Sequence, residues 1–307
     1  MDNKISQRIE SSACLVGGYL LNHRLQNSIY VASTKARKPL FVANRIPDEV
    51  RRDCENAFLS IIKDHDLNTD KLNVYDAGNE AEFKIQVDKY KQELSNTFDK
   101  KFKNSDLFDK FRLSYLKRRS LNAVDKVQKK ISEGKNAFYC HNRPNTPFIA
   151  INSKKFITAI FHEYGHFLDY KNNPYLIAYK DASRACKKLF VPIIGINAML
   201  TPELKKNKKD ESQRISDNVG PIRRFCKKYC GLLAGGIMVP FAIEEFNASI
   251  LGQKLANKYL KTDLAKKYVT KTHWHSALSY ATLPIAVGLA MHITNKFRDK
   301  VVQPDNI

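Results

Sequence analysis

The sequence FHEYGHFLD, residues 161–169, contains the motif HExxH, and the rest of the chain is interpreted outward from it. In an α-helix, residues four apart lie on one face, so His162 and His166 can each offer an imidazole nitrogen to one metal ion. The alternative is a pair of core histidines that happen to be four apart, whose buried ring nitrogens would need other partners. We predict a zinc site with His162 and His166 as ligands and Glu163 as the adjacent general base.

A hydrolytic zinc site also needs a third protein ligand and an open position for water. The sequence IEEFNAS, residues 243–249, places Glu244 and Glu245 inside an apolar stretch, where carboxylates are costly without a cation partner. A solvated helix end is the alternative for such a pair. The residues alone indicate a ligand in this pair and leave open which of the two it is.

Strand patterns surround the motif helix. Short apolar runs at 38–43, 71–75, 137–141 and 147–152 are typical of strands, and a helix begins at Pro47. We predict an α+β fold with a zincin-like core, in which a small mixed sheet packs on the HExxH helix, with extra helices and hydrophobic helical segments. The run at 147–152 is the predicted edge strand that would receive an extended peptide.

The predicted organisation has two parts. An N-terminal helical arm covers residues 1–37, and a zincin-like metallopeptidase domain covers residues 38–307. The domain carries a Lys-rich helical insertion at 88–132 and a hydrophobic and basic insertion at 185–230. Within the second insertion, residues 201–228 are predicted to form a basic loop that faces solvent or lipid headgroups.

Composition limits the class of protein. The chain has 307 residues, of which 43% are hydrophobic, so disordered and collagenous proteins are excluded. Fifty-two Lys and Arg against 31 Asp and Glu leave a net charge of +21, which favours anionic partners such as a membrane surface. Nucleic acid is not favoured, because the sequence lacks a zinc ribbon and an alternation of aromatic and basic residues. Six cysteines without a CxxC pair indicate reduced, buried thiols.

Three apolar stretches bear on the membrane. They cover residues 189–200, 231–243 and 277–293. A bilayer span needs about 20 apolar residues, so the first two are short and the third is borderline. Basic residues flank the last two stretches and would attract an anionic leaflet. We predict that the protein is associated with a membrane, and we leave open whether it spans the bilayer and in which orientation. The alternative location is the cytoplasm.

The motifs together resemble a known family. The chain is similar to the membrane-bound neutral zinc metallopeptidases of the YugP type. The similarity rests on HExxH, a hydrophobic and basic insertion, EFNAS at 245–249, and ALSYA at 277–281 before an apolar helix. A more distant similarity is to the HtpX and CaaX-prenyl peptidase class. The resemblance covers roughly residues 137–297. The sequence departs from the family at 167–169, which reads Phe-Leu-Asp where the family has Ala-x-Gln, and at 88–132, which has no counterpart.

The resemblance implies a gluzincin site. His162, His166 and Glu245 would hold Zn²⁺, and Glu163 would be the general base. In gluzincins, the residue four positions after the glutamate ligand is often an Asp that orients a ligand histidine. Ser249 stands at that position here.

Supporting residues follow from this comparison. Because Ser249 is a weaker partner than an aspartate, Glu244 or Asp169 is expected to support a ligand histidine. A donor to the developing oxyanion is expected further along the chain. The candidates for that donor are His273, His275 and Tyr280.

The predicted function is therefore a zinc-dependent metalloendopeptidase that hydrolyses protein or peptide substrates with a metal-activated water. The main alternative is a basic protein that binds a membrane or nucleic acid and has a structural or vestigial zinc site. A third possibility is a soluble metallopeptidase that acts on proteins bound to nucleic acid.

Overall fold

The computed structural model describes residues 2–37, 46–64, 72–141, 147–173, 175–201 and 220–301. The helices in these ranges are α1 (Asp2–Arg37), α2 (Asp48–Asp64), α3 (Glu80–Lys103), α4 (Leu107–Ser132), α5 (Ser153–Phe156), α6 (Ile160–Asn172), α7 (Tyr175–Leu200), α8 (Pro221–Gly236), α9 (Val239–Tyr259) and α10 (Asp263–Val301). The strands are β1 (Asn73–Asp76), β2 (Phe138–Cys140) and β3 (Phe148–Ile151), and a 3₁₀ turn at Ile157–Ala159 joins α5 to α6.

The predicted α+β class is wrong. The described part of the chain is 85% helical, with a sheet of only three short strands. The strand patterns around the motif form strands of three or four residues, whereas the apolar and Lys-rich segments form long helices. The predicted strand at 38–43 and most of the predicted basic loop, at 202–219, lie outside the described residues. Residues 221–228, expected in that loop, form the first turns of α8.

The sheet has the order β1-β3-β2 in the described residues. β3 runs parallel to β1, with Phe148 opposite Asn73, and antiparallel to β2, with Ala150 opposite Phe138. The prediction that residues 147–152 form an edge strand is therefore wrong, because β3 is paired on both sides. The antiparallel edge is β2.

A carboxylate at the end of β1 fixes the approach to the motif helix. Asp76 accepts hydrogen bonds from the backbone N–H groups of Gly78 (2.7 Å) and Ser153 (2.9 Å) and from the Ser153 hydroxyl (2.6 Å). Asn152 caps α5 by accepting from the backbone N–H of Lys155 at 3.1 Å. These bonds hold the start of α5 against the sheet, and the 3₁₀ turn and α6 follow from there.

The chain divides into two compact units. The motif unit contains residues 39–172 and 247–275, and the bundle unit contains residues 1–38, 173–246 and 276–307. Both α9 and α10 are continuous helices that belong partly to each unit.

The core of the motif unit forms around the sheet. One face of α2 is buried at helical spacing, including Val50, Cys54 and Ile61. A second cluster joins the sheet to the roots of α3 and α4, and its buried members are Ala77, Phe83, Val87, Ile131, Phe148 and Ala150. Helices α3 and α4 thus pack on the sheet, and together they form the core that supports the HExxH helix.

The bundle unit has its own apolar core. Its buried members come from α7, α8, α10 and the turn before α9, and they are Ile194, Ala198, Cys230, Ala234, Met238, Val287 and Met291. A Cβ atom at Gly231 would lie 2.7 Å from the carbonyl oxygen of Gly288, and one at Gly288 would lie 2.8 Å from that of Gly231. Only glycine allows α8 and α10 to approach this closely.

Some of the helices that lie wholly or partly in the bundle unit fit a membrane by their length and composition. Two helical segments in the described residues, Pro221–Tyr259 and Asp263–Lys300, are long and apolar enough to cross one, and Leu189–Leu200 is a shorter apolar helix. This agrees with the predicted membrane association at the level of helix length and composition.

In the motif unit, α6 and α9 pack with their backbones in near contact. A Cβ atom at Gly165 would collide with the carbonyl oxygen of Ala248, and one at Gly252 would collide with that of Phe161. Phe161 and Gly165 are one turn apart on α6, and Ala248 and Gly252 are one turn apart on α9. The two helices therefore cross in antiparallel directions, and glycines at both contacts set their separation.

We predict that Gly165→Ala destabilises the fold by ~1–3 kcal/mol or more, because the added methyl group meets backbone that cannot rotate away. Thermal unfolding of the purified chain measures this loss. The matched control is Gly236→Ala in α8, where an added Cβ meets no described atom within 4 Å. Alanine should be neutral or stabilising there, since it is the better helix former. Equal unfolding temperatures for the two variants would contradict the close contact.

Candidate metal centre

Two histidines on α6 and one glutamate on α9 meet in a buried group. The ligand atoms of His162, His166 and Glu245 all lie within 4.8 Å of one another. Both histidines are buried, and the Glu245 residue as a whole keeps part of its surface exposed. Glu245, and not Glu244, is the member of the acidic pair in this group. The group could hold a metal ion.

The helix crossing explains why these residues meet. One turn along α6 leads from His162 to His166, and one turn back along α9 leads from Ser249 to Glu245. His162 Nδ1 lies 3.1 Å from Ser249 Oγ, which sets the register of the two helices. Because α9 is continuous, Glu245 is held on the same helix one turn before Ser249.

Ser249 supports a ligand histidine directly. The contact of the serine hydroxyl with Nδ1 fixes the orientation of the His162 ring and makes Nε2 the nitrogen that would coordinate a metal ion. Although serine is a weaker partner than aspartate, Ser249 makes the contact with a ligand histidine that an aspartate often makes in gluzincins. Asp169 is buried on α6 and Glu244 is half-buried on α9, and their supporting roles stay predictions.

Tyr139 is a site residue that the sequence analysis missed. It lies in β2 and stacks on His166, with ring centroids 6.3 Å apart and an angle of 7° between the planes. Its hydroxyl lies 3.2 Å from His141 Nδ1. Burial raises the pKa of the Tyr139 phenol, which therefore stays neutral. The sequence shows an aromatic residue in a predicted strand, but it does not show that this strand lies beside His166.

His273 lies beside the group on α10. Its ring centroid is 6.2 Å from that of His162, and its Nδ1 is 2.9 Å from Gln253 Oε1. Gln253 in turn donates from Nε2 to Asn257 Oδ1 at 2.8 Å. Since an amide oxygen only accepts, this arrangement puts the proton on His273 Nδ1.

This tautomer bears on the predicted oxyanion donor. His273 Nε2 is buried without a hydrogen-bond partner among the described residues, and it carries a lone pair rather than a proton. The arrangement therefore lacks the N–H group that a donor role at Nε2 requires. The other two candidates lie further along α10, where His275 is half-buried and Tyr280 is exposed.

Glu163 is held beside the group by its helix. It follows His162 on α6 and is buried. The turn that leads into α6 is tied to α10 by a buried hydrogen bond of 2.8 Å between the hydroxyls of Thr272 and Thr158. The start of α6 is thus fixed from two sides, by the sheet and by α10.

Comparisons with known proteins identify no relative. No protein-family model, curated protein or solved structure matches this chain. The resemblance drawn from the short motifs therefore stays a prediction.

We predict that Glu245→Gln lowers the bound metal well below the about one equivalent expected for a three-ligand site, because an amide is a much poorer ligand than a carboxylate. Elemental analysis of the purified protein measures the metal. The control is Glu244→Gln, the same change on the neighbouring residue, which should retain the metal. The opposite result for the two variants would assign the third ligand to Glu244.

We also predict that Ser249→Ala weakens metal binding by ~10–100-fold, the usual effect of removing a partner of a ligand histidine. Competition with a chelator measures the affinity. Ser249→Asp should preserve the affinity, because a carboxylate also accepts a hydrogen bond from the Nδ1–H group of His162. If Ser249→Ala bound the metal as tightly as the natural chain, the hydrogen bond to His162 would have no role in the site.

Proposed function

We propose that the protein is a zinc-dependent metalloendopeptidase. The observation that carries the proposal is the buried group of His162, His166 and Glu245, whose ligand atoms lie within 4.8 Å of one another. Two imidazoles and one carboxylate are a common ligand set of catalytic zinc, and three protein ligands leave a fourth position for water. The donor set therefore fits zinc in a catalytic rather than a structural site.

Glu163 is the proposed general base. Zinc, when bound, would lower the pKa of a coordinated water and polarise the carbonyl of a peptide bond. Glu163 is next to a ligand on the same helix and is not itself in the ligand group, so its carboxylate is the one assigned to take the proton of the attacking water. It then returns a proton to the leaving amine. Ser249 holds the ring of His162 in place throughout.

The edge strand supports a peptide substrate. In the described residues, β2 is the antiparallel edge of the sheet and pairs with β3, so a substrate strand would add on its outer side. Tyr139 of β2 stacks on His166, and an extended peptide bound along β2 would therefore pass close to the metal group. This assignment replaces the predicted role of residues 147–152.

The bundle unit supports a location in the membrane. Its helices expose large apolar side chains over much of their length, which are costly in water and favourable in lipid. Those on α7, α8 and α10 include Leu189, Phe190, Ile193, Ile196, Phe225, Leu232, Ile285, Leu289, Ile293 and Phe297. We infer that this unit is embedded in a bilayer and that the peptidase is an integral membrane protein.

The rival function is a basic binding protein with a structural or vestigial zinc site. The net charge of +21 supports that alternative. The buried Glu163 supports the peptidase, because a structural site has no use for an uncoordinated carboxylate beside its ligands.

Glu163→Gln separates the two functions. The variant should keep the metal and lose cleavage of casein or a peptide library by ~100-fold or more, since it removes only the proton acceptor. The control is Glu82→Gln on the exposed surface of α3, which should cleave like the natural chain. Zinc-loaded protein that cleaves nothing, or a Glu163→Gln variant with full activity, would reject the proposed mechanism.

A further inference from the structure

The hairpin of α3 and α4 ends in an exposed apolar tip. The two helices run antiparallel, as ion pairs from Lys91 to Asp125 (2.6 Å) and from Lys117 to Asp99 (2.7 Å) show. The root of the hairpin is packed in the core of the motif unit through Phe83, Val87 and Ile131. The tip consists of the end of α3, the turn at 104–106 and the start of α4.

The apolar residues of the tip share one stripe of α4. Leu107, Phe108 and Phe111 are 86%, 77% and 78% exposed, and Tyr115 continues the stripe one turn further on. Spacing of three and four residues puts these side chains on a common face. The structure leaves this face exposed to solvent. A tip with three large apolar side chains in water needs a partner surface.

The tip is also strongly basic. Residues 99–119 contain eight Lys and Arg and three Asp, a net charge of +5. Each of the three acids is already engaged: Asp99 pairs with Lys117, Asp109 pairs with Arg112, and Asp106 caps α4. The charge left to meet a partner is therefore positive.

An open cleft lies between the two helix ends at the tip. Its volume is about 500 Å³, and its charged lining consists of three bases, Lys100, Lys101 and Arg112, and one acid, Asp109, which pairs with Arg112. Because the bases outnumber the single acid, the cleft keeps a positive charge that suits a phosphate group. Lys110 lies over the ring of Phe102, 5.7 Å from its centre, so basic and aromatic side chains are interleaved at the tip.

We propose that this tip is an interfacial anchor for an anionic phospholipid bilayer. Leu107, Phe108 and Phe111 enter the boundary between head groups and acyl chains, while Lys100, Lys101 and Arg112 bind phosphate. Exposed apolar side chains at the end of a hairpin suit a soft interface, whereas a folded protein partner would need a matching groove. The proposal does not depend on the peptidase function.

Fluorescence of a single tryptophan at the tip tests the anchor in the full chain. Trp274, the one natural tryptophan and an exposed residue, is first replaced by phenylalanine. Phe108→Trp then reports the tip, with Phe111→Trp as a second reporter. Ile85→Trp is the matched control, because Ile85 is a similarly exposed apolar residue near the root of the same hairpin. The chain is reconstituted into nanodiscs of phosphatidylcholine, alone or mixed with phosphatidylserine, whose acyl chains are brominated near the head group.

The expected result is loss of emission by bromine quenching for both tip reporters in the anionic nanodiscs, little loss in phosphatidylcholine alone, and none for Ile85→Trp. Reversing the cleft bases together, Lys100→Glu, Lys101→Glu and Arg112→Glu, should abolish the quenching. Reversing Lys84, Lys89 and Lys129 near the root should not.

Tip reporters that are quenched no more than Ile85→Trp would overturn the proposal. Equal quenching in both lipid mixtures would overturn the role of the cleft bases. A spectral shift with a single-stranded oligonucleotide or with polyglutamate, and none with lipid, would also overturn it and assign the tip to another anionic partner.

Discussion

The near contact of the α6 and α9 backbones is the constraint on which the metal group depends. Gly165 and Gly252 lack the side chains that would hold the helices apart, and each receives a backbone carbonyl of the other helix. At this separation the short side chain of Ser249 reaches His162. A wider crossing would move Glu245 away from both histidines, since a carboxylate reaches only a few ångströms from its helix. Gly165, which lies between the two histidines, is therefore as important to the site as the ligands.

The rest of the motif unit holds this crossing in place. Asp76 and Asn152 fix the segment that leads into α6, and a buried hydrogen bond between two threonines ties the same segment to α10. The small sheet contributes Tyr139, whose ring lies flat against His166. In a chain that is largely helical, the sheet supports the site without providing most of the core.

Local patterns made part of this structure predictable. The spacing of HExxH places two histidines on one helix face whatever the surrounding fold, and the cost of an acidic pair in an apolar helix indicated a ligand near Glu245. The resemblance to gluzincins drew attention to position 249, but support for the histidine was expected from Glu244 or Asp169 and not from Ser249. Helix α2 and the strands β1, β2 and β3 also lie where the sequence patterns place them, because each depends on the spacing of nearby residues.

Long-range packing explains what the sequence did not reveal. The fold class was wrong because strand patterns of a few residues do not reveal how little of the chain they occupy. The order β1-β3-β2 depends on pairings between distant segments, so β3 was mistaken for an edge. Within the motif, Gly165 looks like an ordinary position until α9 is placed beside it. The helical spacing of Phe108 and Phe111 likewise does not show that both side chains are exposed.

Two imidazoles and one carboxylate should meet at a single metal ion. X-ray absorption at the zinc edge of the purified, zinc-loaded protein measures these neighbours. We expect nitrogen and oxygen neighbours at about 2.0–2.2 Å and the multiple scattering of two imidazole rings. Sulfur neighbours at about 2.3 Å, which cysteine ligands would give, would contradict it, as would the absence of imidazole scattering.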